Sequence, residues 1–106
     1  MIIFVGEQFW CLNGSTLKNK ANIYKTNDTL DLVDNIEGTM FFIRNVSNNN
    51  MLRITAKERV TSETNATQLW EKRNPNNKTC FIIANINETG KVLTATFDGL
   101  KAKGNY

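Results

Sequence analysis

The sequence predicts a mainly β chain with one helix, closed as a single small barrel. Three observations carry that expectation. Apolar and polar residues alternate in several short runs, the period of a half-buried strand. Clusters of Asn and Gly separate those runs, and both residue types suit tight turns. One stretch, 60–74, breaks the alternation with apolar residues spaced by three and four.

The first candidate strands lie in "ANIYKTNDTLDLVDN", broken at Asn27-Asp28. Ile23 and Tyr24 open one strand, while Leu30 and Leu32 alternate with Asp31 in the next. "MFFIRNV" follows as a short central strand, "SNNN" as a turn, and "MLRITA" as the return strand of a hairpin, 40–46 with 51–56. In 60–74, Thr61 or Ser62 is placed to cap a helix, and Glu63 would lie near its positive end. Ala66, Leu69, Trp70 and Arg73 would share one helical face, and Pro75 would stop the helix. A second hairpin begins at Cys80. Cys80, Ile82, Ala84 and Ile86 occupy one face, "NETG" makes the turn, and Leu93, Ala95 and Phe97 return. The tail "GLKAKGNY" shows no partner and is expected to fray. Four strands, a helix and two strands fit an OB-like barrel with the helix plugging one end.

At 106 residues the chain forms one domain, 1–106. Its apolar runs, "MIIFV" and "CFIIA", are too short to span a bilayer. No charged segment precedes residues 1–5, so the chain reads as a mature or trimmed product. A net charge of +3 is mild, and Lys18, Lys20 and Lys25 are interspersed with polar residues, which gives no nucleic-acid signature. The chain has no His, which removes the commonest general base and the His-paired nucleophiles. No carboxylate pair sits in an apolar context, so an enzyme is not expected, and no cofactor or metal is implied.

Cys11 and Cys80 are the only cysteines, too far apart for a metal knuckle or a local redox pair. A disulfide between them would pin the N-terminal segment to the fifth strand and place the protein in an oxidising compartment. Closing so long a loop is worth roughly 4 kcal/mol in the chain-entropy account. Two buried free thiols are the alternative. Six Asn-x-Ser/Thr triplets, at Asn13, Asn27, Asn45, Asn65, Asn77 and Asn87, exceed the about two that chance predicts. They fit either a secreted glycoprotein or an AT-rich genome that favours Asn.

"EQFWCLNGSTL" resembles the opening of type II heat-labile enterotoxin B subunits, an aromatic and a Cys followed by hydroxyl residues. "GTMFFIRNVSNNNMLRITAKER" resembles their third and fourth strands, and "IYKTND" is similar to a run in the cholera branch. The likeness covers about residues 7–98. It implies an OB fold, a secreted ring of five subunits binding host gangliosides or glycoprotein sugars, and a separate enzymatic A chain. It also implies a sugar site at Ser15 and Thr16 and in the loop Asn35, Ile36 and Glu37. Cholera-type members place a Trp two residues after the second Cys. Ile82 stands there, so that site is absent or rebuilt.

Two other families share features with the chain. "QFW" and "QLW" fit the Gln-x-Trp motif of ricin-type trefoil lectins, and "TGKVLTA" resembles the strand that follows it. The motifs are, however, spaced more widely than such repeats, and the chain is short for three of them. An immunoglobulin-like module of a viral glycoprotein would fit the Cys spacing and the sequons, but it lacks the core Trp and Tyr of that fold. Trp10 is expected to pack on the disulfide, and Trp70 in a core or a subunit interface.

Overall fold

A computed structural model describes residues 6–20, 29–33, 39–55, 57–64, 68–73 and 80–104. In chain order the strands are β1 (Phe9–Asn13), β2 (Thr16–Asn19), β3 (Leu30–Val33), β4 (Met40–Asn45) and β5 (Asn50–Ile54). They continue as β6 (Val60–Glu63), β7 (Trp70–Arg73), β8 (Cys80–Asn85), β9 (Val92–Thr96) and β10 (Gly99–Lys103). Among the described residues there is no helix.

Six strands close a barrel in the cyclic order β1-β2-β3-β4-β7-β8, every neighbour antiparallel. Hairpins β5–β6 and β9–β10 extend from β4 and β8 and meet at an Arg59–Lys101 bridge. The β1→β2 turn, the last residues of β3 and β7 and the first residues of β4 and β8 therefore lie at one end of the barrel, and the hairpins at the other.

The barrel repeats itself three times. Trp70 pairs with Asn85, Trp10 with Asn19, and Leu30 with Asn45 across the junctions between units. After each Asn the next amide donates to the carbonyl preceding the paired Trp or Leu: Ile86 to Leu69 at 2.9 Å, Lys20 to Phe9 at 2.9 Å and Val46 to Thr29 at 2.8 Å. Within the units, Phe41 opposes Trp70, Phe81 opposes Trp10 and Leu17 opposes Leu30. All six of these side chains belong to one buried cluster that fills the barrel. Two units carry a hairpin. The described part of the third is β2 and β3 alone.

The two Gln-x-Trp segments occupy equivalent places. Trp10 Nε1 donates to the Leu93 carbonyl at 3.0 Å, and Trp70 Nε1 to the Leu52 carbonyl at 3.5 Å, each acceptor lying on the first hairpin strand of its unit. Gln8 Nε2 donates to Thr94 Oγ1 and to the Gly104 carbonyl, while Gln68 Oε1 accepts from the Ile54 amide and Asn85 Nδ2. The chain's first strand thus completes the unit that its last strands begin. Gly6 makes this closure possible: a Cβ there would stand 2.6 Å from Thr94 Cγ2 and 2.8 Å from the Ala95 carbonyl oxygen.

Several expectations are corrected. The described residues of 60–74 form no helix: Val60–Glu63 and Trp70–Arg73 are strands, and residues 65–67 and 74 lie outside the description. Three Thr and two Asn weaken helix propensity across this stretch. Trp70, moreover, gains a partner on both sides only as a strand residue, Phe41 on one and Asn85 on the other. Without the helix, and with ten strands in the described residues, the OB-like barrel of six strands and a plug is not the fold. Trp70 is fully buried in the barrel core, one of the two places expected for it, but on a strand and not on a helical face. The tail does not fray over Gly99–Lys103, which pairs along its whole length with β9. Leu100 and Ala102 point inward there, the period-two pattern of a strand. Ile23 and Tyr24 lie outside the described residues.

Other expectations hold. Leu30 and Leu32 are buried on β3, although Asp31 between them is also buried and takes two hydrogen bonds from Arg44, at 3.1 and 2.8 Å. Those bonds and the Asp31 charge raise the Arg44 pKa above its ordinary value, which keeps the guanidinium charged. The "SNNN" turn forms with Asn49 at φ 64°, and Gly90 serves the later turn at φ 86°. Cys11 and Cys80 are disulfide-bonded and are direct cross-strand partners of β1 and β8, within the sheet rather than ahead of it.

Candidate functional site at the hairpin end

The β9–β10 hairpin turns through Phe97 and Asp98, between the paired residues Thr96 and Gly99. Two-residue hairpin loops ordinarily use Asn and Gly, which accept positive φ and face water. Here Gly99 takes the positive angle, at φ 113°, and a Phe occupies the tip. The turn is tied from within: Thr96 Oγ1 donates to the Gly99 carbonyl at 2.9 Å and accepts from the Asp98 amide at 3.1 Å. Phe97 is held out by this scaffold and is 81% exposed, the highest among the exposed large apolar residues.

Beside Phe97 lies a notch of about 390 Å³ lined by Glu58, Thr96, Phe97, Asp98, Lys101 and Lys103. Glu58 comes from the β5–β6 turn, so the notch spans two units of the barrel. Its carboxylate receives Lys103 at 3.3 Å and Lys91 at 3.9 Å, and its carbonyl accepts the Ala102 amide at 2.7 Å. These contacts lock the two hairpins together and fix the floor. The result is one exposed ring flanked by a carboxylate and by ammonium groups. Such a surface can stack on the apolar face of a ring-shaped ligand while exchanging hydrogen bonds with its polar edge.

The residues expected to bind sugar lie elsewhere. Ser15 sits in the β1–β2 turn and Thr16 begins β2, both half-buried at the opposite end of the barrel. The Ser15 carbonyl accepts the Leu32 amide at 2.9 Å, and Thr16 pairs with Asn13 and Asp31. Asn35, Ile36 and Glu37 fall outside the described residues. Ile82 is buried on β8. Of the sequons, Asn45 is buried and its Oδ1 accepts the Ser47 amide at 3.0 Å, a structural role repeated by Asn85. Asn13 and Asn87 are exposed, and Asn27, Asn65 and Asn77 lie outside the described residues.

Sequence reading missed Phe97 because it was assigned to the inward face of a strand continued one residue too far. The signal was nonetheless present: "FDG" carries the Asp-Gly pair of a turn, directly after "LTAT". It also missed the repeat, visible as "FFIRN" at 41–45, "FIIAN" at 81–85 and "STLKN" at 15–19.

No protein-family model, curated protein or solved structure matches the chain.

Proposed function

We propose that this barrel is a carbohydrate-binding module, engaging sugar at the notch between the β5–β6 and β9–β10 hairpins. The observation that carries the reading is Phe97, presented to solvent by a rigid turn next to Asp98, Thr96 and Lys101. Sugars offer a ring of C–H groups on one face and hydroxyls around the edge. An aromatic ring bordered by acceptors and donors matches both. The threefold strand arrangement, with Gln-x-Trp on the closing strand of two units, supports the trefoil-lectin reading. The motifs are widely spaced because the β2–β3 unit lies between them, with Leu30 where the other two units place Trp. Likeness of fold does not itself assign a ligand, so the site carries the weight.

A second reading, a secreted toxin B subunit that binds host glycan as a ring of five with an A chain, draws support from the Cys11–Cys80 bond. That disulfide is consistent with an oxidising compartment. This reading would place sugar at Ser15 and Thr16, at the far end of the barrel, and at residues 35–37, which lie outside the described residues. A glycan array probed with the wild type and with Phe97→Ala tests the first reading. The variant should keep its fold, because the ring touches solvent rather than core, and should lose array binding. Undiminished binding by Phe97→Ala would remove the notch.

A further inference from the structure

We propose that the notch selects anionic saccharides, with Arg59 and Lys101 holding the acid group. This inference rests on the carbohydrate reading above and adds the class of sugar. Arg59 and Lys101 are direct partners in the antiparallel bridge that joins the two hairpins. Side chains of directly opposed residues project to the same side, and like charges so placed repel. Neither residue has an ion pair among the described residues. The nearby acid in the floor, Glu58, is already shared by Lys91 and Lys103. The two hairpins thus bring together four cations, Arg59, Lys91, Lys101 and Lys103, against the acids Glu58 and Asp98.

A neutral sugar would leave the Arg59–Lys101 repulsion in place. A carboxylate or sulfate seated between the two would relieve it and accept charge-assisted hydrogen bonds from both. Because Lys101 also lines the notch, an acid group there would belong to a sugar stacked on Phe97. The Asp98 carboxylate would then accept from ring hydroxyls and turn away an acid at the wrong position. Two features together, a ring and a cation pair, distinguish this from general attraction of polyanions to a basic surface.

Calorimetry on the full chain tests the inference with four probes: lactose, sialyllactose, an oligogalacturonate and a heparin tetrasaccharide. At least one acidic probe should bind about tenfold or more tightly than lactose, from charged hydrogen bonds a neutral sugar lacks. The carboxylate and sulfate probes show which acid is preferred. In Arg59→Gln/Lys101→Gln the acidic probe should fall to the affinity of lactose, while the melting temperature stays level or rises because the repulsion is gone. That combination separates a ligand role from a structural one. Lactose binding as well as the acidic probes, still dependent on Phe97, would overturn the anion inference and leave the carbohydrate reading standing. Heparin binding that survives Phe97→Ala and vanishes in salt would mean non-specific attraction and also overturn it. Absence of binding by all four probes and by a neutral glycan array would overturn both.

Discussion

At Trp10 and Trp70 the indole nitrogens reach backbone carbonyls of Leu93 and Leu52, and the rings are fully buried. Truncating either ring leaves a cavity and an unpaired carbonyl. Trp10→Ala and Trp70→Ala should each cost about 3–5 kcal/mol in urea denaturation of the isolated chain. A smaller loss, with a change in oligomer mass instead, would place Trp70 at an interface. Gly6 has the opposite constraint. Its neighbours Thr94 and Ala95 leave no room for a Cβ, so Gly6→Ala should destabilise by about 1–3 kcal/mol in the same assay. Phe97 differs from all three, since it contributes exposure rather than packing. Phe97→Ala should leave the denaturation midpoint nearly unchanged.

Among the elements, those built from local chemistry were legible and those built from distant pairing were not. The "SNNN" and Gly90 turns follow from residues that tolerate positive φ, and β3, β4, β5 and β8 follow from their apolar runs. β6 and β7 were read as a helix because each has a single buried apolar residue, Val60 and Trp70, too few to display a period of two. Their strand state comes from partners far along the chain, which spacing within a window does not report. β10 was missed for a similar reason, as its inward residues are only Leu100 and Ala102. The Ala102 amide donates to the Glu58 carbonyl at 2.7 Å, so hydrogen exchange there should be among the slow set. Exchange at the rate of a free peptide would mean that the tail frays after all. The disulfide joins β1 to β8 where they already pair. Cys11→Ser/Cys80→Ser should therefore retain the β circular-dichroism signature while losing about 2–4 kcal/mol of stability.

At the scale of the whole molecule, three units close one barrel, and its two ends carry different chemistry. The end holding Ser15 and Thr16 was singled out by family resemblance. The hairpin end emerges only when β5–β6 and β9–β10 meet, bringing Glu58 into the notch with Phe97 and Lys101 and setting Arg59 opposite Lys101. These residues come from two separate hairpins, so no motif in the sequence announces them. An amide-resolved NMR titration of the full chain with lactose, sialyllactose, the oligogalacturonate and the heparin tetrasaccharide tests this most directly. With the tightest-binding probe, shifts should concentrate at Thr96, Phe97, Asp98 and Lys101, with Glu58 and Arg59 following across the bridge. Shifts centred on Ser15 and Thr16, or no shift with any probe, would contradict it.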